Sequence, residues 1–286
     1  MEWKTYKTIQ EFYDENIEIL LKEEPLNNLI IGNVYSAFEM ENIEDWILAR
    51  IMNKGKVEMI FLYRPPYKLL CYAPNYNYYD IDGEIYTYAA KHLYKMNPCL
   101  LGINAEKKIA NLLADSYINL SKQRKQTELR MRILVLQNLK DIVLAEEVVF
   151  RKAKEEDKDV ISENIRIFYE EALGKIQDIK QCQQEFKEQL LMGLYVIEKD
   201  GKIVSQAALK RKLTNGKNIS SVYTPREERG KGYAKTCVYL LSKKCLEEGA
   251  KYCVLYADDT NPISNHVYES IGYKKIANQE SICFLS

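Results

Sequence analysis

The sequence predicts an α+β protein of two domains whose second half builds a mixed α/β sheet, and three observations carry that prediction. The chain has 286 residues, about twice the ~150 typical of one domain. Asp200-Gly201 and Asn215-Gly216 separate three strand-like runs, Leu194 to Lys199, Lys202 to Leu213 and Asn218 to Thr224. Asp-Gly and Asn-Gly supply the positive φ of type I′ turns, so an antiparallel meander is expected. Beyond it a strand, a long helix and a further strand imply a parallel pair joined by a right-handed crossover.

In chain order, the spacing of apolar residues predicts an amphipathic helix over Thr8 to Lys22 and strands over Val57 to Arg64 and Lys68 to Ala73, broken by Pro65-Pro66. Leu100 to Ile103 reads as a strand feeding a helix from Ala105 to Leu120, and Leu129 to Leu136 as a closing strand. Tyr76-Asn77-Tyr78-Tyr79-Asp80 reads as a surface loop. No Gly/Ser/Pro linker follows, so the boundary, residues 1–140 against 141–286, rests on where a new pattern starts. Val148 to Arg151 is the next strand. The acidic run Glu155-Glu156-Asp157 then opens a helix with Ile161, Ile165, Phe168 and Ala172 on one face, ended by Gly174. Ile179 to Met192 is a second helix. After the meander, Ala234, Val238, Leu241 and Cys245 mark a core stripe that Gly249 ends, and Tyr252 to Ala257 is a strand again.

Composition excludes several classes. Lys+Arg and Asp+Glu balance at 41 each, so no net basic field draws the chain to nucleic acid or an anionic membrane. The start, Met1 to Tyr6, lacks the apolar core of a signal peptide, and apolar runs such as Met59 to Tyr63 are far short of a bilayer span. A cytoplasmic protein with reduced thiols is the expectation. The seven cysteines include no C-x-x-C pair, and Cys237, Cys245 and Cys253 read as small buried hydrophobes. Two histidines, His92 and His266, do not support a zinc site, and neither accompanies a G-x-S-x-G elbow. No metal is expected.

The informative segment runs from Val222 to Ala234, between the third meander strand and a helix N-terminus. Backbone N–H groups there lack intrahelical partners and the helix dipole is positive, which suits phosphate. Gly230 and Gly232 leave those donors open, while Arg229, Lys231 and Lys235 add charge. Each charge-assisted bond contributes about 1.5–3 kcal/mol. A Walker A loop needs Gly before Lys-Ser/Thr, but Lys235-Thr236 follows Ala234. A dinucleotide fingerprint would need a third glycine where Lys235 stands, and would open a βαβ unit instead of following a meander.

These residues resemble the GNAT superfamily of acyl-CoA-dependent N-acetyltransferases. Arg229-Gly230-Lys231-Gly232-Tyr233-Ala234 matches its R-x-x-G-x-G/A loop, and Asn261 to Tyr273 matches its N-x-x-S/A-x-x-x-Y-x-x-x-G-F/Y segment. The resemblance covers roughly Val148 to Ser286, and the first half looks like a degenerate copy of the same fold without the loop. What it implies is two GNAT-like domains, with one acetyl-CoA (coenzyme A) site in the second. Pantetheine would lie in a gap beside Val222 and Thr224, the diphosphate on the N–H groups of Arg229 to Ala234, and the oxyanion near the Tyr223 N–H.

Tyr268 is then the candidate general acid, against packing on the sheet. Its phenol, with a pKa near ~10, stands about 2 kcal/mol from a thiol near ~8.5. Asn261 before Pro262 is a helix N-cap or a coenzyme contact, and His266 a surface residue. The strand Asn218 to Thr224 lacks the glutamate many members carry as a base. Asp258 could serve through water, or build a turn. The implied reaction is direct attack of a small-molecule amine on acetyl-CoA, with no nucleic-acid or membrane partner and a homodimer left open. The missing glutamate also fits a silent acyl-CoA-binding or sensing protein. A protein Nα- or lysine acetyltransferase is the third reading.

Overall fold

The structure, a computed structural model, describes residues 1–74 and 83–285; the Tyr76 to Asp80 loop lies outside the described residues. The chain begins with β1 (Glu2–Thr5), α1 (Ile9–Lys22), α2 (Glu24–Ala37), β2 (Ile47–Asn53), β3 (Lys56–Tyr63) and β4 (Leu69–Tyr72). It continues with α3 (Gly83–Met96), β5 (Gly102–Glu106), α4 (Lys107–Ser121), β6 (Arg124–Leu136), β7 (Val149–Lys152), α5 (Lys158–Leu173) and α6 (Ile179–Met192). The meander β8 (Leu194–Lys199), β9 (Lys202–Leu209) and β10 (Gly216–Tyr223) follows. It leads into α7 (Tyr233–Glu247), β11 (Tyr252–Asp258), α8 (Pro262–Ile271) and β12 (Lys274–Leu285). No helix among the described residues is long and apolar enough to cross a membrane.

Two compact units result, and they are not sequential halves. The first comprises residues 1–133 with 258–260 and 277–286, the second residues 134–257 with 261–276. The difference from the expected break at 140 has a physical reason. β6 is one continuous strand through residue 136, and the end of β12 returns to the first unit, where Gln279 to Cys283 pair antiparallel with Gly102 to Glu106 of β5.

In the first unit the strand order is β1-β2-β3-β4-β5, then the end of β12, then β6. Strands β1 to β4 are antiparallel neighbours, and β4 joins β5 in parallel. Phe61, Tyr86 and Tyr117 centre the core, and Phe284 from the chain end stacks on Tyr117 at 5.0 Å. A Cβ on Gly102, where φ is +149°, would lie 2.0 Å from the Ile282 carbonyl oxygen, so only glycine permits β12 to close this sheet. Helix α1 starts as expected, Thr8 Oγ1 accepting from the Glu11 N–H at 3.2 Å. Helix α2 was not legible in the sequence because Asn27, Asn28, Gly32 and Asn33 are poor helix formers. Their amides bond inward instead, Asn27 to the Leu20 carbonyl and Asn33 to that of Leu29.

The second unit orders its strands β11-β10-β9-β8-β7. Asp200 (φ 49°) and Gly201 (φ 73°) both take positive φ, as a type I′ turn requires. Asn215-Gly216 does not. β9 ends at Leu209, and Gly216 already belongs to β10, where a Cβ would lie 2.3 Å from the Tyr252 ring. That glycine serves close packing against β11, not a turn. Two apolar clusters flank these strands. One gathers Ile161, Ile165 and Phe186 with Ala208, the other Val238, Leu241, Leu255 and Ile271 with Ala207, as strand alternation demands. Cys237, Cys245 and Cys253 are free and buried, and each lies in the second cluster.

Candidate active site

The parallel strands β10 and β11 pair only at their beginnings, Gly216 with Tyr252, Lys217 with Cys253 and Asn218 with Val254. From there Ile219 to Tyr223 and Leu255 to Asp258 part. Asn218, 1% exposed, stands at the fork. Its Nδ2 donates to the Val254 carbonyl at 3.2 Å, and its Oδ1 accepts from Arg211 at 2.7 Å. The carboxyl ends of parting parallel strands are where α/β sheets place ligands.

Beyond the fork β10 also bulges away from β9. Ser220 pairs with Ala208 and Tyr223 with Gln206, so Ser221 and Val222 together face Ala207. Ser221 takes φ 51°, rare for a residue with a side chain. Its hydroxyl accepts from Gln189 of α6 at 2.9 Å. Next to the bulge, Thr224 Oγ1 donates to Ser205 Oγ at 2.9 Å, and Ser205 reaches the Tyr223 carbonyl. The strand end at Val222, Tyr223 and Thr224 is therefore fixed from both β9 and α6.

A short 3₁₀ turn, Arg226–Glu228, carries the chain to Gly230 (φ +80°) and Gly232 (φ +81°). A Cβ on either would meet nothing within 4 Å. Their glycines answer to backbone conformation and an open approach, not to protein packing. Gly232 precedes α7 without any side-chain cap, and the first bond of the helix runs from the Thr236 N–H to the Gly232 carbonyl. Among the described residues, the N–H groups from Gly230 through Tyr233 and Ala234 to Lys235 meet no protein acceptor. The Arg229 N–H is committed to the Arg226 carbonyl at 3.3 Å.

The basic side chains of this turn are less free than the sequence suggests. Arg229 donates through Nε to the Thr224 carbonyl at 3.0 Å and through Nη2 to Glu171 at 2.5 Å, with its guanidinium over the Tyr223 ring. Arg226 joins the same carboxylate at 2.5 Å. Burial works against ionisation of Glu171, yet Arg229 and Arg226 hold its carboxyl below the usual glutamate value. Arg229 thus braces the turn to α5. Lys231 pairs with Glu228 at 2.8 Å and is half exposed. Nothing in the sequence distinguished Glu171 from its neighbour Glu170, because its role comes from the tertiary meeting of α5 with the turn.

Tyr268 is buried, edge-on to Tyr273 at 6.0 Å, and among the described contacts its hydroxyl has no protein hydrogen-bond partner. Burial pushes the phenol up to about 12. Asn261 caps α8, its Oδ1 accepting from the Ser264 N–H at 3.1 Å, and His266 is exposed. Asp258 is exposed and builds a turn, Oδ1 accepting from the Thr260 N–H and hydroxyl at 2.8 Å each. It groups with the first unit, unlike the other expected site residues. No cluster of metal-ligating side chains occurs among the described residues.

A family model for the acetyltransferase (GNAT) family matches residues 158–273. A GNAT-family acetyltransferase from Colwellia psychrerythraea is similar over 99% of both chains, with TM-score 0.57 and 10% identity. A Drosophila protein is similar over 99% of this chain and 98% of that one, with TM-score 0.66 and 12% identity. A GCN5-related N-acetyltransferase from Kribbella flavida is similar over 80% and 87%, with TM-score 0.56 and 15% identity. At these identities the likeness is one of fold, and it extends through the first unit. No curated protein sequence matches the chain.

Proposed function

We propose, from the premise that residues 158–273 are a GNAT-family acetyltransferase domain, that the protein moves an acetyl group from acetyl-CoA to the primary amine of a small molecule. The observation that carries this reading is the parting of β10 from β11 beside the uncapped, glycine-led start of α7. A diphosphate fits there: the free N–H groups of Gly230 to Lys235 are donors, and the space over Gly230 and Gly232 is open. Acetyl-CoA would supply an activated thioester. Val222 and Thr224 would hold the pantetheine amides, while Tyr223 and the bulge would orient the carbonyl.

Tyr268 would face the leaving sulfur. Against a thiol near ~8.5, a phenol raised to about 12 leaves a gap of about 3.5 units, or about 5 kcal/mol. Full proton transfer is therefore costly, and Tyr268 acts by donating a hydrogen bond to the sulfur as the bond breaks. Asp258 keeps turn duty. The amine attacks in its neutral form, drawn from solution, without a positioned carboxylate base. Buried amides on the α5–α6 side support a small polar acceptor: Asn164 bonds Gln206, and Gln206 Nε2 and Gln189 Oε1 have no protein partner.

The engagement of Asp258 in a turn also favours one competing reading, a silent acyl-CoA sensor. Mixing the protein with acetyl-CoA and a panel of small amines and basic peptides, while following free thiol, separates the two. Turnover on a small amine supports the proposal. Saturable binding without turnover on any acceptor would establish the sensor, and turnover on peptides alone a protein acetyltransferase.

A further inference from the structure

Ser221 stands at the bulge of β10 with φ 51°, a left-handed conformation that a side chain disfavours. Such a conformation persists only where its surroundings hold it. The hold comes from α6. Gln189, 2% exposed, donates from Nε2 to Ser221 Oγ at 2.9 Å and to Glu185 Oε1, one turn earlier on the same helix, at 2.9 Å. The carboxylate only accepts, so it fixes which end of the amide faces Ser221. Lys210 in turn donates from Nζ to Glu185 Oε1 at 3.0 Å, and its main-chain N–H reaches the Asn218 carbonyl at 3.1 Å. This relay grips β10 at Asn218, where it parts from β11, and again at Ser221.

What the bulge changes is direction. Lys210 bonds Asn218, so along β9 Lys210, Ala208 and Gln206 turn their main-chain groups toward β10. Ser220 opposes Ala208, and after one extra residue Tyr223 opposes Gln206. The main-chain groups of Val222 and Thr224 thereby face away from β9, toward the gap left by β11. The Thr224 N–H has no main-chain acceptor among the described residues. An unbulged β10 would set Val222 opposite Gln206 and turn the groups of both residues into the ladder with β9.

We propose that Gln189 is a positioning residue for the coenzyme: by holding Ser221 it keeps the bulge formed, and the bulge aims the Val222 and Thr224 main chain at the pantetheine arm. This role rests on the coenzyme reading of the site given above. Gln189 acts through Ser221 and not on the coenzyme itself, and every member of the relay lies in the second unit. The glycine turn is braced separately, by Arg229 on the Thr224 carbonyl and Glu171. The relay therefore bears on the pantetheine end of the site and not on the diphosphate end.

The test is isothermal titration of the full chain with coenzyme A and with its fragment 3′-phospho-ADP, which carries the diphosphate but no pantetheine arm. Gln189→Leu should weaken coenzyme A binding about tenfold or more and leave the fragment within about twofold of the parent. Adding Ser221→Gly should restore coenzyme A affinity to within about threefold of the parent, since glycine takes positive φ unaided and leaves no hydroxyl unmet. If Gln189→Leu does not fold, Ser221→Ala removes the same bond from the other side and should show the same split. Undiminished coenzyme A affinity in a folded variant, an equal loss of coenzyme A and fragment, or no recovery with glycine would overturn the role of Gln189 alone. A parent chain that does not bind coenzyme A would overturn the coenzyme reading, and this role with it.

Discussion

Both units build a parallel strand pair in the middle of a mixed sheet, and they use it differently. In the first, β4 and β5 stay paired over Leu69 to Cys71, nearly the whole of β4. In the second, β10 and β11 part after Asn218, and β10 runs on alone through a bulge to a glycine turn. The proposed coenzyme site uses the second arrangement, since a pantetheine arm can bond to strand edges only where the strands have let go of each other. The key glycines differ in the same way. Gly102 is demanded by a carbonyl 2.0 Å from where its Cβ would sit, whereas Gly230 and Gly232 face open space. One unit uses glycine to close a sheet and the other to leave a surface free.

The largest effect that could break this comparison is on stability. Gly102→Ala forces a backbone clash with β12 and should cost more than ~3 kcal/mol, read by denaturant unfolding. Gly232→Ala pays only the left-handed conformation, about 1–2 kcal/mol. Equal costs would mean that the two glycines are not used differently. Next is chemistry at the fork: Tyr268→Phe should lower kcat by about 10- to 100-fold with coenzyme Kd unchanged. A turnover within twofold of the parent would remove Tyr268 from the mechanism.

A smaller effect concerns acid. Glu171 and Asp157 titrate below their usual range in the folded protein, Glu171 because two arginines outweigh its burial and Asp157 because Arg151 bonds it. Such groups stabilise above their unfolded values near ~4, and that contribution is lost as pH falls through the lower folded values. Thermal stability should therefore drop on acidification below about pH 4, and Glu171→Gln with Asp157→Asn should flatten that drop. The smallest effect expected is at Asp258. An asparagine there still accepts from Thr260, so Asp258→Asn should leave kcat/KM within about twofold, whereas a large loss would restore it as a base.

The parts of this protein set by local chemistry were legible in the sequence. The Asp200-Gly201 turn, the αL glycine at 174 and helix α6 fall where residue type and spacing put them. The glycine turn before α7 was legible for the same reason. Asn215-Gly216 misled because the same dipeptide that makes a turn also fits beneath the Tyr252 ring, which is a tertiary demand. The exchange of β12 into the first unit depends on pairing between residues some 175 apart in sequence, and no local signal encodes it. Asn218, Glu171 and Arg229 show the same limit at the site. Their side-chain types were visible, but that one wedges the fork and the others tie the turn to α5 follows only from the fold.

The central claim, that the parted strands of the second unit hold the coenzyme and the paired strands of the first do not, is tested most directly by isothermal titration of the full chain with coenzyme A, alongside Gly232→Val. The account predicts one site per chain in the parent and, with a branched side chain over the diphosphate donors, an affinity loss of at least ~100-fold in a variant that remains folded. Two sites per chain, or coenzyme affinity retained in the folded variant, would contradict it.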